Sequence, residues 1–226
     1  MIALSVDVEP DFPPHYESLD GLGEGLTALV ADIREANADA TFFVTGELLD
    51  KKPEVLDLLK GFEIGCHGFR HIDLTELRDL QVYHELVEAM EAFNEHGIKP
   101  SGFRAPYARV NNMVLDSVRR IFEYDSSVVF YHKQPHVIEE APIYSGGKLF
   151  GFSNSWFNRI RHFPRPENKV FFIHPWEYGG FDFSKIMEKR RDQLKWGYAK
   201  ENYRTNLKEL LKEKTVRISE LIKAKK

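Results

Sequence analysis

The feature that most narrows what this chain can fold into is an alternation that starts at its second residue. Short apolar runs take turns with stretches in which apolar side chains recur at helical spacing. Ile2–Val8 reads as a strand. Leu26, Leu29, Val30 and Ile33 then fall at i, i+3, i+4 and i+7, one face of an amphipathic helix. Residues 40–45 (ATFFVT) make the next strand, and a short helix starts near Pro53, a residue suited to a first helical turn. Glu63–Cys66 is a third strand, and a long helix over 75–96 stops at Gly97, where glycine commonly ends a helix. Further strands are expected at 102–104, 124–130 and 169–174, with a short last one at 215–218 and another helix at 112–122. This alternation predicts a parallel sheet wrapped by helices, and about seven strands with single crossovers fit a closed or nearly closed β/α barrel. A doubly wound open sheet is the competing arrangement, but no glycine-rich phosphate fingerprint follows the first strand. Residues 130–163 are irregular and rich in Tyr, Phe, Trp and Gly. They are too long for an ordinary connector and are expected to cover or shape a site.

At 226 residues the chain suits a single domain over 1–226, undivided by any repeat, low-complexity tract or Pro/Gly/Ser linker. The lone cysteine, Cys66, rules out an internal disulfide. An acid as early as Asp7 leaves no apolar leader segment, and no run reaches the ~20 apolar residues of a membrane span. A cytoplasmic protein without a membrane span is therefore expected. The net charge of −4 hides an asymmetry, since residues 185–226 hold fourteen Lys and Arg against six Asp and Glu, a local +8. These cations are interleaved with Leu207, Leu210 and Leu211 and with Glu201, Glu209 and Glu213. They read as a solvated helix face, so no nucleic-acid partner is expected.

In parallel barrels chemistry gathers at the C-terminal ends of the strands. Here those ends carry Asp7 and Glu9, then Thr45, His67, Arg104, Asp125 and His174, so successive strands deliver polar groups to one rim. His67 and His71 have the i, i+4 spacing with which two imidazoles can meet one metal. The spacing alone is common, and His132 with His136 repeats it. Pro135 hinders a helical turn there and no acids surround that pair, which reads as a coincidence. Asp7 and Glu9 strengthen the first pair, because i and i+2 in a strand share a face with Ser5. One carboxylate can serve as ligand and the other as base, and a His, His, carboxylate set with an open position is the arrangement of a catalytic zinc site. Cys66 should face the opposite side from His67, as a small buried residue.

The segments SVDVE (5–9), TFFVTGELL (41–49), EIGCHGFRH (63–71), GFRAPY (102–107), YDSS (124–127) and VFFIHPWEY (170–178) occur in an order that resembles the polysaccharide deacetylase family. This is the NodB-homology domain of carbohydrate esterase family 4, and VRISEL (216–221) also looks familiar. The resemblance implies a distorted (β/α)7 barrel, in agreement with the strand count. It implies His67 and His71 as metal ligands with zinc the usual metal, and Asp7 as catalytic base held by Arg104. It further implies His174 as general acid with Asp125 orienting its imidazole, and the Tyr107 backbone N–H as an oxyanion donor. Many members carry adjacent aspartates in the first motif, the second being the ligand. Here the motif is Asp-Val-Glu, which puts the expected ligand at Glu9.

The implied reaction is hydrolysis of an N-acetyl group on an amino sugar, with a small-molecule or oligosaccharide substrate. Phe12, Tyr107, Trp156 and Trp176 are the aromatics near the rim that can stack on sugar rings, Trp176 foremost because it follows His174 by two residues. Two other functions use the same barrel: hydrolysis of another amide such as a cyclic ureide, as in allantoinase-like relatives, and non-catalytic carbohydrate binding.

Overall fold

The computed structural model describes residues 1–16, 18–133, 137–164 and 166–224; His136, half of the second histidine pair, lies outside them. Nine strands are found among these residues: β1 (Ile2–Val8), β2 (Thr41–Val44), β3 (Glu63–Cys66), β4 (Gly102–Phe103), β5 (Tyr124–Asp125), β6 (Glu139–Glu140), β7 (Ile143–Ser145), β8 (Lys169–Ile173) and β9 (Thr215–Val216). All pairings are parallel, in the order β6-β5-β4-β3-β2-β1-β8-β7. The strands curl into the barrel-like sheet expected from the alternation, with helices packed outside it. β9 extends the edge that β2 leaves short: Ser5–Val8 pairs with β2, whereas Ile2 and Ala3 pair with Thr215 and Val216.

The period-two geometry of β1 sorts its residues. Leu4, Val6 and Val8 join the apolar layer beneath the helices, packed with Leu26, Leu29, Val30 and Ile33 of the helix Glu24–Glu35. Ala3 faces the other way, into a second cluster with Phe43, Tyr124, Val170 and the last helix, Ile218–Lys223. That cluster fills one end of the barrel interior. Farther along the same face Ser5 and Asp7 meet Arg104. The interior therefore runs from apolar at the start of β1 to polar at its end.

The stretch expected to be irregular holds more structure than its composition indicated. It contains β6, β7 and the helix Asn154–Arg161. The strand expected over 124–130 is only two residues long in β5. Beyond it the backbone swings to the other end of the sheet. Phe130 N–H donates to Ile143 O (2.9 Å), Ile143 N–H donates to Val128 O (2.9 Å), and Val129 bridges to Ile143. This crossing links the two ends of the strand order, β6 with β5 on one side and β7 on the other. Near Pro53 there are two short helices, Gly46–Lys51 and Val55–Leu58, because proline has no N–H with which to continue the first. The long helix is Asp79–Glu95, and Gly97 adopts the left-handed conformation (φ 69°) that a C-terminal stop requires. The basic C-terminal face behaves as expected: exposed Arg204 and Lys208 of the helix Lys200–Leu210 pair with buried Asp32, and Tyr203, Leu207 and Leu210 face inward. Among the described residues no helix is long and apolar enough to cross a membrane.

Candidate active site

Arg104 leaves the end of β4 and turns into the barrel, where it is 1% exposed. Its Nη1 donates to Asp7 Oδ1 (2.9 Å) and Ser5 Oγ (2.8 Å), its Nε to Ser126 O (2.7 Å) and its Nη2 to Ser126 Oγ (2.8 Å). The guanidinium lies 4.6 Å from the Phe43 ring centre and 5.2 Å from that of Phe172. A planar fork fixed on four acceptors and between two rings holds the Asp7 carboxylate in one orientation.

Glu9, His67 and His71 converge, with ligand atoms all within 4.8 Å of one another. Glu9 Oε2 is 3.1 Å from His67 Nε2 and 2.7 Å from His71 Nε2. His67 Nδ1 lies 2.8 Å from Arg104 O, a carbonyl that can only accept, so Nδ1 carries the hydrogen. That leaves His67 Nε2 turned toward the Glu9 carboxylate and available as a ligand atom. One carboxylate and two imidazoles within reach of one point fit a divalent metal, and metal-bound histidine typically donates its other ring N–H to a carbonyl, as His67 does to Arg104 O. Burial alone would raise the Glu9 carboxyl, but His71, His174 and His67 reverse this and hold it well below the ordinary carboxylate range.

His174 follows β8 and faces Glu9 across the cavity, its Nε2 3.5 Å from Glu9 Oε1. Its other nitrogen, Nδ1, is 2.8 Å from Glu177 Oε2. Asp125, expected to orient this imidazole, is engaged elsewhere. It accepts from Ser127 Oγ (2.7 Å) and Ser127 N (3.0 Å) and pairs with Glu140, whose Oε1 accepts from Val128 N (3.1 Å). Burial raises both carboxyls, and the neighbouring Asp125 charge pushes Glu140 up further, to about 11. Ser127 Oγ in turn accepts from Ala105 N (2.8 Å), which ties Asp125 to the turn Pro106–Ala108. Asp125 thus steadies the Tyr107 side of the cavity, and Glu177 stands where Asp125 was expected.

Glu177 and Arg190, which contacts it, are the residues that sequence reasoning missed. A readable signal existed: Pro175 starts a turn after His174, and i+3 brings Glu177 back over the histidine. Burial would lower the His174 imidazole, but Glu9 and Glu177 overcome this and raise it to about 9.

These groups line one cavity of about 520 Å³, with Asp7, Glu9, His67, His71 and His174 on its floor and walls. Tyr107 lines it too, in a left-handed backbone conformation (φ 59°), its ring edge-on to His71 at 4.4 Å. Residues 143–148 and Tyr131 supply another wall, so the 130–163 stretch shapes the site as expected. Trp176 does not offer an open face. It is 3% exposed, stacks on His174 (4.5 Å, 17°) and donates its indole N–H to Glu9 Oε1 (3.3 Å). Phe12 packs against Trp176, while Trp156 packs on Trp196 away from the described lining. Among the described aromatics that line the cavity, Tyr131 is the most open, 72% exposed. Cys66 is buried, and burial pushes its thiol up to about 12, as befits a packing residue.

A parallel β/α barrel gathers an acid, two histidines and an arginine-held aspartate at its strand ends, a set that could hold a metal ion. The sequence profile of the polysaccharide deacetylase family matches residues 1–121, and the chain belongs to that family. The match takes in Asp7, Glu9, His67, His71, Arg104 and Tyr107 and ends before His174. A peptidoglycan-N-acetylglucosamine deacetylase of Listeria monocytogenes is 31% identical over 103 residues, 44% of this chain and 22% of that protein. One from Bacillus cereus is 26% identical over 138 residues, 60% of this chain and 59% of the relative. The chain therefore spans about a fifth of the first relative's length and under two thirds of the second's. The fold is shared with a solved putative polysaccharide deacetylase from Mycobacterium smegmatis, at TM-score 0.66 and 17% identity, covering 98% of this chain and 90% of the other.

Proposed function

We propose that this chain is a single catalytic domain, a metal-dependent hydrolase that removes N-acetyl groups from an amino-sugar oligosaccharide or polysaccharide, with zinc as its metal. One observation carries the reading. A carboxylate–bis-histidine cluster, an arginine-held Asp7 and the imidazole of His174 all face one cavity. The relatives' action on N-acetylglucosamine polymers supports the choice of amide.

Glu9, His67 and His71 would hold the metal, which when bound supplies Lewis acidity at an acyl oxygen and brings the pKa of water toward neutrality. Asp7, fixed by Arg104, accepts the proton of the water that attacks the acetyl carbon. The new C–O bond places negative charge on the former carbonyl oxygen, where the Tyr107 backbone N–H is assigned as donor. A well-placed donor of this kind is worth about 3–4 kcal/mol in other acyl-transfer enzymes. His174 Nε2 gives a proton to the nitrogen as the C–N bond breaks, and acetate and a free amine leave. General acid–base assistance of this kind is typically worth ~10²–10⁴-fold. The open face of Tyr131 is the candidate platform for a sugar ring, in place of Trp176.

The test is acetate release from N-acetylglucosamine oligomers by zinc-reconstituted protein, with a chelated control. Acetate that appears with metal and stops with chelation is expected. Folded, stoichiometrically loaded protein that releases none overturns the reading.

A further inference from the structure

The geometry points to Glu177 as the positioning residue of His174, held for that task by Arg190, in place of the Asp125 partnership the family pattern implied. This rests on the deacetylase reading for its kinetic consequence, but its structural content stands apart from it.

Glu177 is wholly buried and reaches the histidine twice, Oε2 accepting from His174 N (3.2 Å) and lying 2.8 Å from Nδ1. A carboxylate can only accept, so Nδ1 carries the hydrogen and Nε2 is left toward the cavity. The ring has little freedom to turn. Trp176 stacks on it, and Phe172 meets it edge-on at 5.4 Å.

The second oxygen, Oε1, accepts from Arg190 Nη1 (2.9 Å) and Tyr203 OH (3.3 Å). Arg190 is itself 7% exposed, donates to Tyr198 OH (2.5 Å) and Tyr203 OH (3.0 Å), and lies over the rings of Phe12, Trp176 and Tyr198. Tyr198 and Tyr203 are hydrogen-bonded to each other. From the opposite side Gly147 closes in: a Cβ there would lie 1.7 Å from Glu177 Oε2, so only glycine lets this loop pass.

A buried ion pair seldom stabilises a fold more than apolar packing of the same volume would. Five polar groups arranged to leave one carboxylate oxygen on Nδ1 are better explained by orientation of the ring. The same logic operates where a carboxylate fixes the tautomer of a catalytic histidine. Glu177 does not touch the cavity's reacting atoms; it acts through His174.

The experiment compares Glu177→Gln with wild type on two substrates, an N-acetylglucosamine oligomer and 4-nitrophenyl acetate. The amine must be protonated to leave and 4-nitrophenolate need not be. Loss of orientation should therefore lower kcat on the amide by ~10²–10⁴-fold with KM unchanged, and leave the aryl ester nearly untouched. Equal losses on both substrates, or no loss on the amide, overturn the proposal. Nitrogen-15 NMR of His174 in the wild-type zinc protein decides the structural part without any variant. A hydrogen on Nδ1 is expected, and a bare Nδ1 overturns it. Wild type that shows this hydrogen yet hydrolyses neither substrate would count against the proposed function and not against the Glu177 contact.

Discussion

The two walls of the cavity are built in different ways. On one wall Asp7, Glu9, His67, His71 and Arg104 sit at or just beyond the ends of β1, β3 and β4, each placed by a neighbouring strand. On the other wall His174 follows the end of β8. Its surroundings arrive from a four-residue turn, a glycine loop and helices more than a dozen residues downstream. A sheet fixes positions through its ladder, so the first wall needs few supports. The second wall needs a network of buried polar contacts to achieve the same precision.

Removing the metal cluster is the largest expected break in this contrast. His67→Ala combined with His71→Ala should take bound zinc from one per chain to none, by elemental analysis, and leave only background hydrolysis. Asp7→Asn comes next: a kcat loss of ~10²–10⁴-fold with metal content retained. Near-normal turnover in that variant would remove Asp7 from the base role. Gly147→Ala probes the second wall from its loop. The added methyl has no space beside Glu177, so a loss of about 1–3 kcal/mol in denaturant unfolding is expected, with a lower kcat on the amide.

The smallest effect lies outside both walls, at Asp32. Burial would raise this carboxyl, but Arg204, Tyr178 and Lys208 overcome it and hold it below the ordinary value. A depressed folded-state pKa contributes stability that is complete above the unfolded pKa near 3.9 and disappears as pH falls through the folded value. Asp32→Asn should therefore cost about 1 kcal/mol at pH 7, given that Arg204 and Lys208 are largely exposed, and less at pH 2, below the unfolded pKa. Unfolding midpoints at the two pH values check this.

The first wall was legible in the sequence because its spacing is local and periodic. Alternation in β1 put Ser5 and Asp7 on one face, and the short spacing of the two histidines brought them to one place, although residues 67–71 form a bend and not a helical turn. The outer helix face of Leu26, Leu29, Val30 and Ile33 was readable for the same reason. β6 and β7 were not readable, since two or three residues carry no period, and residues 128–130 take their shape from a partner across the barrel. The orienting role of Asp125 came from the family resemblance, and the stacking role of Trp176 from its two-residue distance to His174. Asp125 has Ser127 two residues away as a nearer partner, and Trp176 is consumed by His174 and Glu9.

The flanking of β1 by β8 and β9 has a consequence for how the molecule assembles. β1 finds Lys169–Ile173 and Thr215–Val216 as neighbours only after the long intervening stretch has been made. Pairings this distant in sequence slow folding, because loop closure comes before the contacts that reward it. The strand that carries Asp7 is made well before it is enclosed, and a nascent chain halted before residue 215 would leave the start of β1 without part of its hydrogen-bonded edge.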